Sequence, residues 1–130
     1  MKKIYVITSA GIVEKSKCKE KYIREISSKE ELEDVIERIP YILTIQAPNS
    51  KMRKELYQMA LKEFDEIAWV KVIKSSYLRV QEHHFEPYEA EYAERAKQFL
   101  YGEISIQYSI PYENVEEYLH DTIEKQLREF

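Results

Sequence analysis

Asp65-Glu66-Ile67-Ala68-Trp69-Val70-Lys71-Val72-Ile73-Lys74-Ser75-Ser76-Tyr77-Leu78-Arg79 is the stretch on which the fold turns. Asp65 is an N-cap residue, and Glu66 adds negative charge where a first turn leaves its N–H groups without partners. Ile67, Val70, Ile73, Tyr77 and Leu78 recur at helical spacing, while Ala68, Trp69 and Val72 widen that stripe past half the circumference. A helix this apolar is one that its neighbours enclose, which puts Trp69 in a core. Lys71, Lys74 and Arg79 fall within roughly 80° of one another on the least apolar side. The expectation is a central bundle helix that turns a basic edge outward.

Upstream, Ser28-Lys29-Glu30-Glu31 reads as a capping box. Leu32, Val35, Ile36 and Ile39 continue it as an i, i+3, i+4, i+7 stripe, and Pro40 ends it, so a helix is expected over 28–39. Tyr41–Ala47 is apolar and irregular. Pro48-Asn49-Ser50 caps a second helix over 50–64, expected to bury Met52, Leu56, Met59, Ala60 and Phe64 and to leave Lys51, Arg53, Lys54 and Lys62 outside. Almost no linker separates it from the central helix.

Downstream, His83-His84-Phe85-Glu86 is a break, and Pro87 suits a first helical turn. Tyr88, Tyr92, Ala96, Phe99 and Leu100 mark the inner face of a long fourth helix reaching about Tyr108. Ile110-Pro111 restarts the chain, and Val115, Tyr118, Leu119, Thr122, Ile123 and Leu127 make a last amphipathic helix. At the front, Lys3–Ile7 and Gly11–Val13 read as two short strands around Thr-Ser-Ala-Gly. Two strands alone are marginal in water. They either pack on the helices or pair through Tyr5, Ile7, Ile12 and Val13 with another chain, including a second copy. The fold class expected is mainly α: a five-helix bundle over 27–130, preceded by a two-stranded β fragment over 1–26.

The 130 residues allow one domain, or one and a fragment, and 44% apolar content supports a core. No apolar run approaches the roughly 18 residues a membrane span needs. The lone Cys18 excludes an internal disulfide and fits a reducing, cytoplasmic setting. With two glycines there is little scope for phosphate-cradling loops, and no nucleophile elbow is present. His83 and His84 point about 100° apart if helical and lack a third metal ligand at suitable spacing. His120 stands alone. Glu89, Glu91, Glu94, Glu113, Glu116 and Glu117 read as solvated helix faces. No cofactor or metal is implied, and the sequence points away from an enzyme.

Net charge is −4, unevenly spread: +4 over residues 1–26, −3 over 27–50, +3 over 51–79 and −8 over 80–130. A basic front and middle with an acidic tail suit a polyanion or acidic-protein partner on one side. Lys51, Arg53, Lys54, Lys62, Lys71, Lys74 and Arg79 form the candidate contact set for a phosphate backbone, a kind of contact that positions without reading sequence.

The order of segments resembles the CarD family of bacterial transcription regulators. The pieces carrying the resemblance are Tyr22–Leu32 at the first helix, Met52-Arg53-Lys54-Glu55-Leu56-Tyr57, and Asp65–Arg79. It continues through Glu91–Lys97, Leu100-Tyr101-Gly102-Glu103, and Ile110-Pro111 before Val115-Glu116-Glu117-Tyr118. Each piece is weak alone; their order and spacing over residues 22–128 are specific. The resemblance implies a Tudor-like β-domain that docks on the RNA polymerase β subunit and a helical domain that contacts promoter DNA. The β segment is here expected to be a truncated remnant of the first. Gly11-Ile12-Val13-Glu14 stands where family members carry Arg and Val-Pro, and Ala47-Pro48-Asn49-Ser50 where many carry a tryptophan. The expectation is a non-enzymatic regulator that binds DNA weakly and without sequence specificity. The alternative is an interaction module that dimerises or adds strands to a partner's sheet.

Overall fold

Thr8 shapes the turn that opens the sheet. Its Oγ1 accepts from the Ala10 and Gly11 amides at 3.2 Å each and donates to Gly11 O at 2.9 Å. Gly11 sits at φ 149°, a conformation that L side chains resist. The turn joins β1 (Tyr5–Thr8) to β2 (Gly11–Glu14), antiparallel, with Val6 opposite Val13 and Ile7 opposite Ile12. A third strand, β3 (Arg24–Glu25), pairs with the other side of β1. The sheet therefore has three strands in the order β2-β1-β3, where two were expected. Arg24 and Glu25 were read as leading into the first helix. A two-residue strand carries no alternation to recognise, and its place is fixed by distant bonds from Ile23 N to Ile7 O and Ile26 N to Tyr5 O.

The computed structural model describes residues 2–128; Met1, Glu129 and Phe130, the outer ends of the two expected segments, lie outside the described residues. Five α-helices follow the sheet among them: α1 (Lys29–Arg38), α2 (Ser50–Lys62), α3 (Glu66–Gln81), α4 (Pro87–Tyr108) and α5 (Val115–Arg128). The fold is mainly α. The caps are those the sequence implies. The Glu31 amide donates to Ser28 Oγ at 3.1 Å while the Ser28 amide donates to Glu31 Oε1 at 3.0 Å. Asn49 Oδ1 accepts from Met52 N, and Asp65 Oδ2 accepts from the amides of Ile67 and Ala68.

The chain divides into two compact units, Met1–Glu37 with Tyr101–Phe130 (the sheet unit) and Arg38–Leu100 (the helical unit). In the sheet unit Val6, Ile7, Leu32, Ile36, Ile104 and Val115 are buried. A Cβ on Gly102 would lie 2.8 Å from Ile12 Cδ1, so the bare α-carbon is what lets α4 and β2 approach so closely. One turn of α4 also holds the entry to α1. Buried Glu103 accepts from Ser27 N at 2.8 Å and from Arg24 Nη1 at 3.2 Å, and Gln107 Nε2 donates to Ser27 O at 2.7 Å.

The helical unit packs α2 on α3 and buries Tyr57, Leu61, Trp69, Val70, Val72 and Phe99. Trp69 is fully enclosed and stacks on Phe99, with ring centroids 5.2 Å apart and planes 12° from parallel. Phe64, at φ 49°, turns the chain sharply between the two helices. Four residues expected in this core, Met52, Met59, Tyr77 and Leu78, are exposed. Periodicity identifies a helix face but not how far along the helix a neighbour covers it.

Glu89 also departs from the expectation. Read as part of a solvated face, it is fully buried. Tyr57 OH donates to its Oε1 at 2.7 Å, Glu86 N donates to its Oε2 at 2.8 Å, and Arg79 Nε lies 2.8 and 2.9 Å from the two oxygens. Burial works to raise the Glu89 carboxyl, but the bonds from Arg79, the Glu86 amide and Tyr57 outweigh it and hold the group below the ordinary glutamate range.

Candidate nucleic-acid interface

The inward face of α2 is set by Tyr57, Ala60 and Leu61, all buried. At about 100° per residue Lys51, Lys54 and Lys62 fall within roughly 80° of arc beside that face, Lys54 next to Leu61. All three are exposed, and Met52 and Met59 flank them. Lys54 Nζ stands 5.9 Å from the centroid of the Tyr88 ring. Among the described residues none of the three lysines pairs with a carboxylate. The remaining basic residue of α2, Arg53, is half-buried and donates from Nη2 to Ala47 O at 3.3 Å, securing the loop before the helix.

On α3 the expected basic edge separates into one displayed cation and two engaged ones. Lys71 is exposed. Lys74 Nζ instead donates to Ile39 O and Ile42 O at 2.7 Å each, and burial lowers its pKa. Arg79 is committed to Glu89, and its Nη2 donates to His84 O. The cause is the same in both cases. Irregular backbone and a buried carboxylate need donors, and a long cationic side chain on the nearest helix supplies them. Helical spacing cannot show that, because the acceptors lie outside α3, in the irregular segment before α2 for Lys74 and in and beyond the turn after the helix for Arg79.

Lys74 pins a strap that the sequence left as irregular. From Ile39 to Ile45 the chain runs against α3: Lys74 holds the carbonyls of Ile39 and Ile42, and the Ile45 amide donates to Ser75 Oγ at 2.7 Å. Ser75 in turn donates to Lys71 O. Outward from this anchored segment project Tyr41, 64% exposed, and Leu43, 81% exposed. Neither was singled out in the sequence, although the alternation of Tyr41 and Leu43 with half-buried Ile42 and Thr44 was there to read.

The residues expected to meet a partner through the sheet are placed differently from that expectation. β1 is the central strand, so Tyr5 and Ile7 have no open edge, and Ile7 is buried. Ile12 is half-buried with its side chain against Gly102. Only Val13, on outer strand β2, is exposed. His83 and His84 are exposed in the turn after α3, where His83 takes φ 61°. Cys18 Sγ donates to Glu20 O at 3.1 Å. Among the described residues no group of three His, Cys, Asp or Glu could hold a metal ion, and no helix is long and apolar enough to cross a membrane. Compared with known proteins, the chain matches no family model and no curated protein.

Proposed function

We propose that this chain is a CarD-like transcription regulator of the bacterial cytoplasm that works without catalysis. It contacts the DNA backbone through the outward face of α2, with Lys71 of α3 as a further cation. The observation that carries this reading is the row Lys51, Lys54 and Lys62, displayed on one side of a helix and, among the described residues, without a carboxylate partner. An ammonium group on a flexible stem suits a phosphate oxygen, and such contacts bind by releasing counterions rather than by reading bases. Weak affinity with little sequence preference follows from three or four such contacts. Lys74 and Arg79 serve this site only by holding the scaffold. The RNA polymerase β subunit is the partner that the family resemblance assigns to the sheet unit.

The test is fluorescence anisotropy with a labelled promoter fragment, comparing the native chain with Lys51→Glu/Lys54→Glu/Lys62→Glu. All three side chains are exposed, so folding measured by circular dichroism is expected to be unchanged while affinity falls at least tenfold. Unchanged affinity would remove the site.

A second reading draws on the exposure of Val13 on the outer strand β2. There the sheet adds a strand from a partner or from a second copy. Association of this kind depends on backbone bonds, so it persists at high salt and is lost in Val13→Lys. Light scattering after gel filtration distinguishes it from DNA contact.

A further inference from the structure

Beside its lysines, α2 carries an apolar seam that stands open to solvent. Met52 is 45% and Met59 62% exposed, and Leu56 between them is half-buried. Their spacing of four and then three residues is that of the a and d positions of a heptad, the pattern by which one helix packs along another. At about 100° per residue Met52 and Met59 lie roughly opposite Tyr57 and Leu61, so the helix turns one apolar stripe to the core and a second to water. A single exposed apolar side chain is ordinary, whereas a stripe at this spacing is what a second helix packs against. Unbranched methionine adapts its shape to such a neighbour.

The charges beside the seam select what packs there. With Met52 and Met59 at d and Leu56 at a, Glu55 and Lys62 both fall at g, on one flank. Both are exposed, and among the described residues neither belongs to an ion pair. They stand about 10 Å apart along the helix, too far to pair with each other. A partner helix must therefore offer a cation to Glu55 and an anion to Lys62. A second copy of α2 running antiparallel does both. When Leu56 of one copy is level with Met59 of the other, Glu55 of the first and Lys62 of the second come within about 3 Å of the same height. The two-fold axis makes that pair twice. A parallel copy would set Glu55 against Ala60 and leave both charges unanswered.

We infer that α2 is a self-association surface: two copies of this chain pair antiparallel through Met52, Leu56 and Met59, with Glu55–Lys62 ion pairs along one flank. The contact is small, so association is weak and depends on concentration. It is isologous and closes as a dimer rather than growing into a chain of subunits. Lys62 also belongs to the row assigned above to DNA, so a paired α2 withholds that lysine from phosphate, and the dimer is the form poorer in DNA contact. The pairing itself rests on the geometry of α2 and stands whether or not the chain binds DNA.

The test is sedimentation velocity on the full chain from micromolar to millimolar concentration, with helix content followed by circular dichroism. The native chain is expected to pass from monomer to dimer over this range. Glu55→Lys sets lysine against lysine and Lys62→Glu sets glutamate against glutamate, and each is expected to weaken association roughly tenfold or more. The exchange Glu55→Lys/Lys62→Glu restores opposite charges in antiparallel order and is expected to recover the native dimer. Both side chains are exposed, so all three variants are expected to fold as the native chain does. A native chain that stays monomeric, single variants that dimerise as well as it does, or an exchange that fails to recover the dimer would overturn the pairing. A dimer that survives both single changes and is lost in Val13→Lys would overturn it in favour of the outer strand of the sheet.

Discussion

Each unit contains one fully buried glutamate on α4 facing an arginine, and the two are not equivalent. Glu89, in the helical unit, is bonded on both oxygens, by a tyrosine of α2, an arginine of α3 and a backbone amide. Glu103, in the sheet unit, takes the Ser27 amide at the head of α1 and a longer contact, 3.2 Å, from Arg24. The arginines differ too: 16% of the Arg79 side chain is exposed against 30% for Arg24. The first carboxylate ties helices to one another, and the second orients the start of one helix. A buried charge is tolerable where its partners are complete, and the harm done by removing it depends on how well the abandoned partner can reach water.

The largest effect expected from this difference is on stability. Glu89→Ala leaves Arg79 half-enclosed and Tyr57 without its acceptor, so a loss of about 3–5 kcal/mol is expected. Glu103→Ala leaves mainly the Ser27 amide unsatisfied, because Arg24 can turn to solvent, and about 1–3 kcal/mol is expected. Urea unfolding of both variants checks the order; equal losses would show that exposure of the partner does not matter here.

The Glu89 network also predicts an acid limb. A carboxyl held below the ordinary value of 4.5 contributes stability that is full above that value and is lost as pH falls through the lower folded value. Melting temperature is therefore expected to fall below about pH 4.5 in the native chain and to fall less steeply in Glu89→Gln. Identical acid limbs would assign that loss to other carboxylates.

Smaller effects separate local from distant control within the sheet unit. Ser28→Ala removes one half of the capping box and is expected to cost about 1 kcal/mol. For Gly102→Ala, a helix-propensity gain of about 1 kcal/mol opposes the contact with Ile12 Cδ1, the mobile end of its side chain, so the net change is expected to be near zero. Combining it with Ile12→Val, which removes that methyl, is expected to reveal a favourable coupling of about 0.5 kcal/mol or more. Strict additivity would mean that the approach of β2 to Gly102 is loose.

The same contrast explains what could be read in advance. The Ser28–Glu31 box, the Asp65 cap and the Pro87 start depend on residues within three positions of one another, and all were legible. Trp69 was placed in the core by the width of its apolar stripe. The β3 pairing, the inward turn of Lys74 and the bond from Tyr57 to Glu89 join residues far apart along the chain, and the Arg79–Glu89 pair bridges two helices, so none of them leaves a pattern within one element. For the candidate site the α2 lysines were legible, because their helix is amphipathic. The strap was not, because its order comes from Lys74 and Ser75 rather than from its own sequence.

The most direct test of the central claim is the salt dependence of DNA binding by the native chain and by Lys51→Gln/Lys54→Gln/Lys62→Gln. Each phosphate contact contributes about 0.9 to the slope of log affinity against log salt, so the variant's slope is expected to be shallower by about 2–3. An unchanged slope, with DNA still bound, would contradict the claim that the outward face of α2 meets the backbone.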